Sequence, residues 1–440
     1  MALGGRSRRA DFSSVRTSGK EGIQNMIEGP ANTASVRLGW RRLGVLACCL
    51  LLTMIDGFDT QAIGFVGPTI VHAWHLSPAS LGSIFSAGLL GALFGAVGFG
   101  RLGDRHGRLL MLVYSVLVFA AGTISTAWVT STNTLLVMRF LTGIGLGGAL
   151  PNLLALTAAQ APAHLRSTSI ATVLIGIGLG AGIGGFASVS LIQAYGWPAV
   201  FLMGGLAPLP ILPVLAALLI YATPQLGEQS STSLVRGGFA AVLTRRYRAG
   251  TLLLWAVNCC CSMLTYTLAS WLPTLLNERG FAVHEAVTAT ALLNLGGVLG
   301  GICCGRLSDM RGPYPVIIVA YFLGGIAIAM IGSAAGFRFG AVLAAVFATA
   351  LLAYGGQTGV GVLSTIFYEA PLRSTGVGLA LGFGRVGAVA GPLLIGWLLA
   401  AGTGIPTLFL IGGGLAILIS LLVAAMDYAA RALRTAQTAA

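Results

Sequence analysis

Residues 100–108 of this chain read GRLGDRHGR, and the first five of them return 205 positions later as GRLSD, residues 305–309. Three further pairs of segments match at offsets of 205 to 208 residues. They are 67–69 (GPT) with 272–274 (LPT), 165–168 with 372–375 (both LRST), and 198–202 (PAVFL) with 406–410 (PTLFL). Four matches at nearly one offset predict a duplicated chain whose two halves repeat the same unit.

The composition predicts an all-α membrane protein. Of the 440 residues, 56% are hydrophobic and only 8% are charged, and the mean hydropathy is +0.89. Soluble domains carry about 25% charged residues, and a bilayer-spanning helix needs about 20 apolar residues. Twelve apolar segments meet that requirement, at about 43–71, 80–100, 109–127, 133–158, 167–190, 198–221, 250–276, 285–305, 314–334, 339–362, 375–401 and 404–427.

The positive charge of the chain predicts its topology. Arginines and lysines collect in alternate loops, which is typical of loops on the cytoplasmic side. This distribution accounts for the net charge of +13 without a nucleic-acid partner. An even number of membrane spans, with the basic loops in the cytoplasm, places both termini in the cytoplasm. The expected parts are a disordered cytoplasmic tail (1–38), a six-helix half (39–222), a central cytoplasmic loop (223–249), a second six-helix half (250–428) and a cytoplasmic tail (429–440).

The sequence contains no pattern typical of an enzyme or a metal site. All seven cysteines fall inside apolar runs and lack metal-ligand spacing, so we interpret them as small hydrophobic residues. No nucleophile–base pair and no phosphate-binding loop is evident. We therefore expect a protein that is not an enzyme and that uses neither a metal nor a cofactor.

Residues 56–64, DGFDTQAIG, place two acids in the first apolar run. Asp56 and Asp59 are three positions apart and share one face of a helix. A charge at membrane depth costs about 2.5–3.5 kcal/mol on insertion scales, so these acids require a functional explanation. We expect them to take part in proton coupling.

Two arginines lie within apolar runs and could balance the acids. Arg139 needs a partner, for which Asp56 and Asp59 are both suitable; the alternative is that its side chain extends to the surface. Arg385 is the matching cation in the second half. A guanidinium binds both oxygens of a carboxylate, so we expect Arg385 to bind an anionic substrate, and the alternative is a structural pair. Additional side chains predicted to contact the substrate are Phe58, Tyr266 and Gln357.

Three motifs resemble those of the major facilitator superfamily. Residues 100–108 resemble its loop G-x-L-x-D-R-x-G-R, and 139–147 (RFLTGIGLG) resemble its helix R-x-x-x-G-x-G-x-G. The pattern D-G-F-D-x-x-x-x-G-x-x-x-P, residues 56–68, resembles the aromatic acid/proton symporter family within that superfamily, and 142–153 are similar to its 3-(3-hydroxyphenyl)propionate transporters. The resemblance implies the major facilitator fold and a proton-coupling role for Arg139. It also implies a gating role for the signature loop and related positions: Gly100, Asp104, Arg105, Gly107, Arg108, Asp309 and Arg373.

The resemblance implies a transporter in a bacterial inner membrane that imports benzoate-like or hydroxyphenylpropionate-like acids with protons. Its partners would be the small aromatic carboxylate, protons and the lipid bilayer, and we expect a monomer driven by the proton gradient. One alternative is an exporter of drugs or organic anions, against which Ala181 counts because it replaces the proline of the antiporter motif. A sensor that binds aromatic acids without transporting them is the alternative from a different class.

Overall fold

The computed structural model describes residues 39–220, 242–244, 247–333 and 338–438, and Arg41–Ala440 forms one compact unit. Within the described part, twelve helices are long and apolar enough to cross a membrane, which confirms the predicted number. They are α1 (Trp40–Trp74), α2 (Pro78–His106), α3 (Arg108–Thr126), α4 (Thr132–Gln160), α5 (Arg166–Tyr195), α6 (Pro198–Ile220), α7 (Arg248–Glu278), α8 (Val283–Arg311), α9 (Pro313–Ser333), α10 (Phe339–Phe367), α11 (Ala370–Ala400) and α12 (Ile405–Thr438).

Several predicted segments lie partly or wholly outside the described residues. These are the tail 1–38, most of the central loop 223–249 and the last two residues of the chain. The helices on both sides of the central loop belong to the same compact unit, so the division into two six-helix halves stays a prediction. The cytoplasmic location of both termini also stays a prediction.

Two glycines 205 residues apart end equivalent helices. Gly107 follows α2 with φ +96°, and Gly312 follows α8 with φ +83°. Residues with a side chain rarely adopt this left-handed backbone conformation, so glycine permits a sharp turn there at little steric cost. The same turn therefore occurs at both copies of the repeated sequence.

Two helices contain local breaks. α6 consists of Pro198–Leu206 and Ile211–Ile220, because Pro208 and Pro210 cannot donate backbone hydrogen bonds within a continuous helix. α10 contains one π-helical turn, Ala350–Tyr354, a feature that is frequent at functional sites. Tyr354 at the end of this turn faces the central cavity described below.

Glycine allows α2 and α4 to pack with their backbones in contact. A Cβ atom at Gly95 would overlap the carbonyl oxygen of Ile144, and a Cβ at Gly143 would overlap that of Gly88. Lipid provides no hydrophobic drive for two helices to associate, so this close packing supplies the attraction between them.

Contacts with α11 close one end of the bundle. This is the end at which the α1–α2 and α7–α8 connections lie. The Ser86 hydroxyl in α2 donates a hydrogen bond to the Val389 carbonyl oxygen at 2.8 Å. The Trp271 indole in α7 donates to the Pro392 carbonyl oxygen at 3.1 Å, and its ring packs edge-to-face on Phe85 at 5.4 Å between centroids. These contacts join segments from both ends of the chain.

Gly95→Ala should destabilise the protein, because the added methyl group must separate α2 from α4; overpacking of this kind costs about 1–3 kcal/mol. Gly98→Ala is the matched control in the same helix, since no atom lies within 4 Å of its added Cβ. We expect a lower Tm in detergent for Gly95→Ala and a change within about 1 kcal/mol for the control. Equal Tm values for the two variants would contradict close α2–α4 packing.

Candidate functional site

A cavity of about 890 Å³ lies between α1, α2, α4, α5, α7, α8, α10 and α11, and its walls are mostly apolar. Near the closed end of the bundle it is lined by Phe85. At the other end it is lined by Arg306 and Asp309, which are both exposed. The cavity therefore opens at the end that carries the Gly107 and Gly312 turns.

Asp59 in α1 and Arg139 in α4 form a buried ion pair. Arg139 Nη2 donates to Asp59 Oδ2 at 3.2 Å, and Thr123 Oγ1 in α3 donates to Asp59 Oδ1 at 2.9 Å. The guanidinium carbon of Arg139 lies 5.3 Å from the centroid of the Phe201 ring. Arg139 is only 3% exposed, so its side chain does not extend to the surface, and its acidic partner is Asp59.

One nitrogen of Arg139 has no protein partner. Its Nη1 atom is buried and makes no hydrogen bond with any described residue. Arg139 also lines the cavity. A buried N–H group without a partner costs about 1–3 kcal/mol, so this atom is suited to bind a polar group that enters the cavity.

Asp56 and Arg385 carry the other charges at the centre of the cavity. Asp56 lines the cavity and is 7% exposed; no hydrogen bond or ion pair holds its carboxylate within the described part of the chain. Arg385 in α11 lines the same cavity and is half-buried, and it also forms no ion pair with a described residue. Arg385 is thus a cation whose charge is available to a ligand.

The three side chains predicted to contact substrate do not share one location. Tyr266 and Gln357 line the cavity. Phe58 lies outside the lining, where its ring packs against Gly184 in α5 and lies 3.0 Å from the position of a Cβ at Gly204 in α6. The helical period explains this difference, because a residue two positions after Asp56 points to the opposite side of α1.

The signature loop lies away from the cavity lining. Asp104 accepts a hydrogen bond from Arg108 at 2.9 Å, and both side chains are exposed. Arg105 is exposed too, and no atom lies within 4 Å of a Cβ built at Gly100. An exposed ion pair contributes at most about 1 kcal/mol. In this arrangement Asp104 therefore pairs within its own loop.

The two gating positions from the second copy of the repeat have different surroundings. Asp309 lines the mouth of the cavity. Arg373 is exposed in the second turn of α11 and is not part of the lining. Only Asp309 is positioned to meet a molecule that passes through the mouth.

Metal-ligating side chains are dispersed through the fold. In residues 39–220, 242–244, 247–333 and 338–438, no group of three or more His, Cys, Asp or Glu side chains could hold a metal ion. The seven cysteines are free thiols. The polar groups of the cavity are acids, arginines, hydroxyls and amides, which are suited to an organic anion and a proton.

Two polar residues of the site were not identified from the sequence. Thr123 binds Asp59, but a threonine in an apolar helix usually bonds its own backbone and gives no signal of such a role. Gln61 lines the cavity and donates a long hydrogen bond, 3.4 Å, to Asn294. An uncharged amide at membrane depth, five residues after Asp56, was a signal that could have identified Gln61.

The chain is similar in sequence to known transport proteins. The family model of the Major Facilitator Superfamily matches residues 49–370. The chain is 36% identical over 396 residues to a gallate transporter of Pseudomonas putida, covering 84% of this chain and 88% of that protein. It is also 36% identical over 367 residues to the 3-(3-hydroxy-phenyl)propionate transporter of Escherichia coli, covering 83% and 89% of the two chains.

The fold is similar to that of solved transporters. The inward-open conformation of the xylose transporter XylE from E. coli aligns with a TM-score of 0.68. The alignment covers 87% of this chain and 95% of that chain at 17% identity. At this identity the similarity establishes the fold alone.

Arg139→Met should strongly destabilise the protein, because it leaves the Asp59 carboxylate buried without its cation; such a loss costs about 3–5 kcal/mol. Adding Asp59→Asn should recover part of that loss, which a double-mutant cycle of thermal unfolding in detergent measures. The control is Arg108→Met, which removes the exposed pair with Asp104 and should cost less than about 1 kcal/mol. Equal losses for the two arginine variants would contradict a structural role for the buried pair.

Proposed function

Because this chain belongs to the Major Facilitator Superfamily of transport proteins, we propose that it is a secondary active transporter that imports aromatic carboxylates by proton symport. The observation that supports this most is Arg385, a cation without an ion pair among the described residues, which lines the same apolar cavity as Asp56. The two relatives named above transport gallate and 3-(3-hydroxyphenyl)propionate, both of which combine a carboxylate with a hydroxylated ring.

Arg385 would bind the carboxylate of the substrate. A guanidinium presents two parallel N–H groups to a carboxylate, and this contact strengthens where water is excluded. The apolar walls and Tyr266 would cover the aromatic ring. The site would thus recognise an anionic group and a flat apolar body together.

Asp56 would carry the transported proton. Both acids line the cavity, but Asp59 is fully buried and is held by Arg139 and Thr123, whereas Asp56 is 7% exposed and forms no hydrogen bond with a described residue. Burying an ionised carboxylate without a partner costs much free energy, and burying the protonated acid costs far less. Binding a proton at Asp56 and an anion at Arg385 would therefore neutralise each of these two charges separately, while the sum of the four central charges stays at zero.

Alternating access would follow from that neutralisation. With both charges compensated, the helices around the cavity mouth could close over it, while the contacts of Ser86 and Trp271 with α11 separate. The two predicted six-helix halves would rock about the cavity, with both termini in the cytoplasm. The proton gradient across a bacterial inner membrane would drive uptake by a monomer.

Uptake of radiolabelled aromatic acids by cells that express the protein tests the proposal. Accumulation should collapse with a protonophore and should be lost in Asp56→Asn, because that side chain can no longer exchange a proton. Asp427→Asn is the control, since Asp427 pairs with Arg431 in α12, away from the cavity lining. Full accumulation by Asp56→Asn, or accumulation insensitive to the protonophore, would contradict proton symport.

Arg385→Ala should raise the KM for the acid by about tenfold or more, since it removes a charge-assisted hydrogen bond of about 1.5–3 kcal/mol. Arg385→Lys keeps the charge but loses the two-pronged geometry, so its KM should lie between those of wild type and Arg385→Ala. An unchanged KM in Arg385→Ala would remove this residue from the binding site.

A further inference from the structure

Two amide side chains that are 233 residues apart in the sequence meet in the cavity. Gln61 in α1 and Asn294 in α8 both line it, and they are 7% and 8% exposed. Gln61 Nε2 donates to Asn294 Oδ1 at 3.4 Å, which is longer than the usual 2.7–3.2 Å of such bonds. The contact is weak, and a better partner can replace it.

Neither amide uses its full hydrogen-bonding capacity. Asn294 Nδ2 donates to the Thr290 carbonyl oxygen at 2.9 Å, which fixes the orientation of that side chain. Gln61 Oε1 accepts no hydrogen bond from any residue that the structure describes, and Gln61 Nε2 carries a second N–H group. Together the pair offers an acceptor and a donor to a molecule in the cavity.

The position of this amide pair relative to the charged groups sets the kind of molecule that fits. Gln61 follows Asp56 by five residues, which is about 7.5 Å along a helix. Arg385 lines the same cavity as Asp56 and Gln61, so an anion bound by Arg385 shares that cavity with the amides. The amides therefore lie further along α1 than Asp56, in the direction of the closed end of the bundle.

We propose that Gln61 and Asn294 form a subsite that recognises a hydroxyl group on the ring of the substrate. A phenolic hydroxyl both donates and accepts a hydrogen bond, so it can donate to Gln61 Oε1 and accept from Gln61 Nε2 or displace the long contact to Asn294. The inference rests on the proposed function, because it assumes that an aromatic carboxylate binds Arg385. It assigns the substrate class as hydroxylated aromatic acids.

Selectivity for hydroxylated acids would arise because an acid without the hydroxyl binds less tightly. A ring without this group covers the amides and leaves their polar atoms without water or partner, which weakens binding. A site built to bond a substrate hydroxyl rejects analogues that lack it much more strongly than an apolar pocket rejects an extra methyl group. The amide pair therefore discriminates against benzoate itself.

The first test uses the unaltered protein in proteoliposomes. The KM for uptake is measured for 3- and 4-hydroxybenzoate, benzoate and 4-methylbenzoate, the last of which matches the size of the 4-hydroxy acid without its hydrogen bonds. At least one hydroxylated acid should have a KM at least about tenfold below those of benzoate and 4-methylbenzoate. Equal KM values would overturn the subsite and leave the transporter proposal intact, whereas no uptake of any acid would contradict the transporter proposal itself.

The second test removes the amides. Gln61→Met and Asn294→Leu approximately keep the volume of each side chain. In each variant the KM for the hydroxylated acid should rise while benzoate uptake is retained, so that the two KM values differ by no more than about threefold. The matched control is Asn258→Leu: Asn258 is also buried and also donates to the carbonyl oxygen four residues earlier, at 2.9 Å, but lies outside the cavity lining. The control should keep the wild-type preference.

An unchanged preference in active Gln61→Met and Asn294→Leu proteins would overturn the assignment. The same loss of preference in Asn258→Leu would also overturn it, because the effect would then be a general consequence of losing a buried amide. If both cavity variants fail to insert, the analogue series on the unaltered protein decides.

Discussion

The buried ion pair between Asp59 and Arg139 is the constraint on which the rest of the cavity depends. Removing two charges from water costs several kcal/mol per ion, and only good geometry with further hydrogen bonds offsets it. Thr123 supplies one such bond and the Phe201 ring lies beside the cation. The pair therefore ties α1 to α4, with α3 and α6 packed around it, and it holds the Asp59 carboxylate in one position.

Apart from this pair and the two charged residues at its mouth, the described lining of the cavity contains one acid, Asp56, and one cation, Arg385, and neither forms an ion pair with a described residue. Asp56 and Arg385 come from α1 and α11, so their charges couple segments from the two ends of the chain. The apolar walls keep the local dielectric low and make each charge costly until it is compensated. A proton and an anion compensate both at once, which links the chemistry of the substrate to the conformational change that we propose.

The sequence was sufficient for the twelve helices, because length and hydropathy alone specify a membrane span. It also identified the charged residues of the cavity, since a charge inside an apolar run requires a function. The sequence did not determine which residues contact these charged side chains. Phe58 lies outside the cavity, and Asp59 rather than Asp56 binds Arg139. Both outcomes depend on how α1 is rotated about its axis, because that rotation decides which of its side chains face the cavity and which face α4. Lipid and protein interior are both apolar, so polarity along the sequence encodes that rotation weakly.

Proton movement into proteoliposomes shows whether Asp56 carries a proton with each substrate molecule. A pH-sensitive dye inside the vesicles reports acidification when an aromatic acid is added outside, and protein-free vesicles give the rate at which the acid crosses lipid unaided. We expect acidification well above that rate for the wild type and none above it for Asp56→Asn. Acidification by Asp56→Asn at the wild-type rate would show that Asp56 does not carry the proton.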